Sequence, residues 1–150
     1  MKFSCEKLLL QNAVNTASRA VAAKSSIPAL EGLLLTCGSE SLTVSGDNMQ
    51  TGIRTKFAAE GEESGELVVN ARLISEILRR LPDDVVTFTA NDKFLIHLTC
   101  GDADFDIMGL SAADFPELPE VEEKYAVQIA EKTLKTMIQQ TSFAVSTNEA

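Results

Sequence analysis

The residues of this 150-residue chain best equipped for chemistry are one histidine, His97, three cysteines, Cys5, Cys37 and Cys100, and the alternating carboxylates Asp102, Asp104 and Asp106. His97 sits within Phe94-Leu95-Ile96-His97-Leu98-Thr99, on the strand face opposite Ile96 and Leu98, and reads as a solvent-facing histidine. The three aspartates point to one face of an expected edge strand. A cation site could be built from such a set, but charge on an edge strand also blocks unwanted pairing, and this second reading is preferred. The cysteines are odd in number, widely spaced and set in apolar runs, as suits small buried thiols rather than bridges or a metal site. There is no glycine-rich phosphate loop, metal-spaced His/Cys cluster or nucleophile elbow. No catalytic residue, metal or cofactor is expected.

Charge is the sharper signal. The formal net charge is −9, which by itself argues against a polyanionic partner. Three expected helical windows, residues 6–24, 70–80 and 130–141, run the other way. They hold Lys7, Arg19, Lys24, Arg72, Arg79, Arg80, Lys132 and Lys135 against Glu6, Glu76 and Glu131, a balance of +5 that leaves −14 for everything else. Arg72 and Arg79 lie one heptad apart on the side of their helix away from its apolar stripe, and Lys132 holds the matching place on the third helix, beside Lys135 and Gln139. The first helix offers Asn12, Asn15 and Arg19, although its match to Arg72 is Leu8. Exposed cations on one helix are ordinary. Repeated on every helix, with no aromatic platform for stacking, they suit phosphates better than bases.

These groups are positioned by a repeated construction. Residues 66–81 read as a short strand, with Leu67 and Val69 alternating, entering a helix capped by Asn70 and striped by Leu73, Ile74, Ile77, Leu78 and Leu81. The same pattern starts 64 residues earlier, at Phe3 and Cys5, with Leu9, Leu10, Ala13, Val14 and Ala17. It returns 60 residues later at Val127 and Ile129, with Thr133, Leu134, Met137, Ile138 and Thr141. After the first helix, Ala23 to Pro28 forces an extended crossing. Three strands follow each of the first two helices, expected at 32–37, 42–46 and 52–59 and at 85–90, 94–99 and 103–108, divided by turn residues. The acidic stretch 60–65 reads as a solvated connection, and a fourth strand-like run, 143–146, ends the third copy.

Two strand-helix-three-strand units predict an α+β fold in which both helices cover one side of largely antiparallel sheets while the other side meets water. The expected domains are 1–120, made of units 1–59 and 66–109 plus a proline-punctuated linker with two apolar anchors, and 121–150, the start of a second domain. No apolar run approaches the roughly 18 residues of a membrane helix and the N-terminus has no signal-peptide layout, so no membrane contact and a cytoplasmic location are expected.

Several stretches carry a resemblance. Ser26-Ile-Pro-Ala-Leu-Glu-Gly-Leu-Leu-Leu35, Leu42-Thr-Val-Ser-Gly-Asp-Asn48, Asn70 to Pro82 and Ala113-Asp-Phe-Pro-Glu-Leu-Pro119, in this order, resemble the bacterial DNA sliding clamp, the beta subunit of DNA polymerase III. The likeness covers the first of that family's three domains and the opening of the second. It implies a head-to-tail ring of two protomers, lined by helices and walled by sheets, that encircles duplex DNA and tethers the replicative polymerase without catalysis. It also implies partners, polymerase III subunits and the clamp loader, that dock through later domains. Carried over by position, duplex contacts fall on Lys24, Arg72 and Asn148. Arginine is usual at the first of these and glutamine at the last, so Lys24 lacks the bidentate fork. Arg19, Arg79 and Lys132 are weaker DNA-facing candidates. The strand 103–108 would meet the neighbouring protomer through Phe105 and Ile107, with acidic Asp102 and Asp104 where basic residues are common. The rival readings are a small ligand-binding α+β domain, which would show an apolar pocket with converging polar groups, and a structural interaction module, which would lack positive potential on its helix side.

Overall fold

A computed structural model describes residues 1–118 and 126–146. The chain divides into two units, Met1–Leu118 and Pro119–Ala150. In the first, β1 (Lys2–Glu6) enters α1 (Lys7–Ala17), and β2 (Gly32–Cys37), β3 (Ser41–Asp47) and β4 (Gly52–Ala58) follow. After β5 (Glu60–Glu63) the motif recurs as β6 (Gly65–Asn70), α2 (Ala71–Arg80), β7 (Val85–Ala90), β8 (Leu95–Cys100) and β9 (Ala103–Met108).

The repeats are not two self-contained halves. One sheet has the order β5-β1-β7-β8-β9 and the other β4-β3-β2-β6, with every pairing antiparallel. Each unit's leading strand therefore completes the other unit's sheet. The exchange repeats in register: Phe3 faces Phe88 and Cys5 faces Val86, while Leu67 faces Leu35 and Val69 faces Leu33. Phe3 and Phe88 stack with ring centroids 4.8 Å apart, a cross-strand pair at the centre of the core.

The helices repeat just as closely, but their apolar stripe is turned from the expected one. α1 buries Lys7, Leu10, Ala13, Val14 and Ala17, and the equivalent positions 64 residues on, Ala71, Ile74, Ile77, Leu78 and Leu81, are buried on α2 and at its end. Leu9 and Leu73, expected in the stripe, are matching positions and both are exposed, at 38% and 41%. The sheets lie one residue further round, and a 100° step is enough to lift a leucine to the rim. Small residues on α1 let it approach closely. A methyl group added at Gly46 of β3 would strike the carbonyl of Ala17, so the helix end rests on the strand's backbone.

The acidic stretch 60–65 corrects the expectation of a solvated loop. It forms β5 on the free edge of β1, where Lys2 Nζ reaches Glu62 at 2.6 Å and the N-terminal ammonium lies 3.6 Å from Glu63. Its sequence has no apolar alternation, and the backbone ladder with these two cations replaces it. β8 starts at Leu95 rather than Phe94, because Phe94 takes φ +60° in a turn that the Asn91 side chain holds by accepting from Lys93 N and Leu95 N.

The linker does anchor by two apolar residues. Phe115 is buried against Ala29 and Val68 with Leu34 beside them, and Leu118 reaches Gly52. Leu110 exchanges backbone hydrogen bonds with Val68 at 2.9 and 2.8 Å, extending past β6. Part of the outer face expected to meet water is thus covered by the linker. The exposed edge β4 presents Arg54 and Lys56, and the opposite-end edge strand β9 presents Asp104 and Asp106.

In the second unit α3 spans Glu131–Thr141, with Leu134, Met137 and Ile138 exposed, and a short 3-10 turn covers Ser142–Ala144. The strands expected at Val127 and Ile129 and over 143–146 do not form. A strand needs a neighbouring strand's backbone donors and acceptors, whereas α3 closes its bonds internally.

The helix orientation yields a direct test. Leu78 is fully buried, and Leu78→Ala should cost about 2–5 kcal/mol in denaturant unfolding. The neighbouring Arg79→Ala, on the exposed side, should cost less than about 0.5 kcal/mol.

Candidate nucleic-acid interface

Asn70 ends β6 and caps α2, its side chain accepting from Leu73 N at 2.9 Å. The cap fixes the helix's rotation, so that Ala71 turns inward and Arg72 outward. Arg72's side chain is 90% exposed and leans on Glu76, one turn on, with Nε 3.2 Å from Oε1. A contact this open is worth little and leaves the guanidinium's other donors to a ligand.

Across from the start of α2 runs the segment that follows α1. Ser18, Val21, Ala22 and Ala23 on one side, and Asn70, Ala71, Arg72 and Ser75 with Glu31 on the other, line a cleft of about 430 Å³. Arg72 is the cation in this lining; Lys24, the residue after Ala23, is exposed and is not part of the cleft wall. Arg19 is exposed on the 3-10 turn Ser18–Ala20, and Arg79 is exposed two helical turns beyond Arg72. Lys132 is exposed on α3, in the second unit. Asn148 lies outside the described residues.

Two residues escape a reading of sequence, one away from the cleft and one in its wall. Lys7, counted among the helical cations, is 8% exposed; its Nζ is 2.7 Å from Asp83 and its backbone N–H donates to the Asp84 carbonyl. It fastens the start of α1 to the turn after α2 and offers nothing to a phosphate. Ser18 contributes a buried hydroxyl without a hydrogen-bond partner at the wall of the cleft. Its neighbour Arg19 is the nearest signal the sequence holds.

The chemistry candidates do not converge on this cleft. All three thiols are free and buried. Burial pushes the Cys5 thiol up to about 12 and raises Cys37 and Cys100 as well, which holds them as un-ionised core groups. A second cleft, about 630 Å³, is lined by Glu6, Glu40, Glu60 and Glu62 around Leu9 and Val85, with no histidine, lysine or arginine in its wall, and Glu62 is paired with Lys2. His97 is exposed on β8, as expected, but it is not alone: Nδ1 lies 2.9 Å from Asp106 and 3.4 Å from Asp104 on β9. On the same edge strand Phe105 is half-buried, while Ile107 is 8% exposed and packs into the chain's own core. Of the two residues expected at a neighbouring protomer, only Phe105 keeps apolar surface to offer.

The fold places the protein among DNA clamps. The solved DNA polymerase sliding clamp of Bacillus subtilis superposes with a TM-score of 0.92 at 32% identity, over all of this chain and 42% of that one. The beta subunit of the Streptococcus pyogenes polymerase gives 0.90 at 27% identity, over all of this chain and 41% of that one. In sequence, the Beta sliding clamps of Bacillus subtilis and Synechococcus elongatus are 33% and 35% identical, each matching 99% of this chain and 42% and 40% of their own length. Residues 1–119 match the N-terminal domain of the DNA polymerase III beta subunit, and the chain belongs to that family, of which it represents the N-terminal portion. It spans about 40% of the length of these relatives. No helix among the described residues is long and apolar enough to cross a membrane.

The contacts of His97 give a titration with a definite sign. The hydrogen bond that its ring N–H donates to Asp106, then the charge of Asp104, raise its pKa above the ordinary 6.5. Stability from the protonated form is complete below the unfolded value and is lost as pH rises through the folded one. As the chain's sole histidine, it gives one set of ring signals by proton NMR. Their midpoint should lie above 6.5 and fall toward it in Asp106→Asn.

Proposed function

We propose that this chain is the N-terminal part of a processivity factor, a ring subunit that encircles duplex DNA and tethers the replicative DNA polymerase, with no catalysis of its own. The observation that carries the reading is the exposed cationic row Arg19, Lys24, Arg72 and Arg79 on the helix side of a chain whose net charge is −9. Guanidinium and ammonium groups without aromatic platforms contact phosphates and are indifferent to base sequence. A ring that slides requires that indifference. Lys132 on α3 extends the cationic set, and Asn148 belongs to it by position in the family.

In the whole protein, the ring is a head-to-tail homodimer in which β9 meets a strand of the neighbouring protomer, with Phe105 as its apolar contact and Ile107 supporting it from within. Polymerase III subunits and the clamp loader dock on later domains. The protein works beside the chromosome, in the cytoplasm. Repulsion elsewhere on an acidic surface keeps loose binding weak, which suits a device that holds DNA by enclosure and grips it lightly.

Fluorescence anisotropy of this chain with two unrelated duplexes at several salt concentrations tests the proposal. Binding should be no tighter than about 10⁻⁴–10⁻⁶ M and equal for the two duplexes. Log affinity should fall with log salt by about 0.9 per phosphate contact, and changing Lys24 and Arg72 to alanine should flatten that slope by roughly one unit each. A marked preference for one duplex, or a slope unchanged in the double variant, would remove the helix face from DNA binding.

A further inference from the structure

Away from the helices, the outer face of β8 and β9 gathers a donor set of a different kind. His97 on β8 stands directly across from Asp106 on β9, and Asp104 lies two residues along the same face. One nitrogen from the imidazole and one oxygen from each carboxylate lie within 4.8 Å of one another. The imidazole Nδ1 is 2.9 Å from Asp106 Oδ1 and 3.4 Å from Asp104 Oδ1. Around an ion with ligands at about 2.0–2.2 Å, neighbouring donors stand roughly 3–3.6 Å apart. The two measured separations already fall near that range, and the remaining carboxylate-to-carboxylate gap closes by rotation of exposed side chains.

We propose that His97, Asp104 and Asp106 form a binding site for a divalent transition-metal ion of the zinc type, held by one imidazole and two carboxylates with its remaining positions open to water. The donor set decides the class: an imidazole nitrogen favours zinc and its transition-metal neighbours, while magnesium and calcium prefer oxygen alone. The ladder fixes the ligand backbones. His97 and its two partners are carried on paired strands whose opposite faces, through Ile96, Leu98 and Ile107, are packed in the core. Little ordering is then needed when the ion arrives. Binding neutralises two carboxylates on the edge strand and clips β9 to β8.

Zinc alone is the probe, titrated into the full chain and followed by proton NMR and calorimetry. The ring signals of the sole histidine should shift to saturation at one ion per chain, with magnesium at equal concentration leaving them in place. His97→Ala and Asp106→Asn, both at exposed positions, should each weaken zinc binding at least tenfold while the circular dichroism of the folded chain is kept. Asp102→Asn, in the turn outside the set, should bind as the parent does. The proposal is overturned if the ring signals do not shift, if zinc binds with them unmoved, as it would at the cysteines, or if His97→Ala binds with unchanged affinity.

Discussion

The structure depends on one exchange. β1 belongs by sequence to the first repeat and by hydrogen bonding to the second, while β6 does the reverse. A repeat cut out alone would keep its leading strand without the sheet that strand joins, and would leave β2 or β7 with an open edge. Both helices also share one continuous core with strands of both sheets. The unit Met1–Leu118 is therefore a single cooperative body although its sequence reads as two, and the cleft between α2 and the segment after α1 exists only because the two repeats interlock.

Much of this was legible because it rests on short-range pattern. Alternation at Leu67 and Val69, the Asn70 cap and the turn residues between strands name their elements without reference to anything distant. The exchange is invisible in the same pattern, since a strand's alternation states which face is buried and says nothing of its neighbour. β5 was missed for the complementary reason: its carboxylates lack any apolar signature, and its place is set by Lys2 and the N-terminus some sixty residues away. Leu9 and Leu73 show the limit of a helical stripe, which fixes the face to within a residue and leaves the last rotation to the sheet beneath.

The candidate site divides along the same line. That Arg72 faces outward follows from the cap and the heptad. That Arg72 borders a cleft shared with the segment after α1, that Lys7 is spent on Asp83, and that His97 meets Asp104 and Asp106 all depend on pairings over many residues. The resemblance to the clamp family singled out Lys24 where physical pattern alone gave a general cationic side with Arg72 and Arg79 turned outward. It also put Ile107 at a protomer contact, whereas the structure spends that side chain on the core.

Two of the sheet edges bear opposite charge, lysine and arginine on β4 and aspartates on β9. A sheet edge offers unpaired backbone groups to any strand that arrives, and two identical edges are always available when copies of one chain are concentrated. Here β9 against β9 would bring carboxylates together and β4 against β4 would bring cations together. Between these two edges only the mixed encounter is electrostatically favoured, and that encounter has polarity: a back-to-back pair, closed by a two-fold axis through either edge, is discouraged, while association of β4 with β9 runs in one direction around or along an assembly.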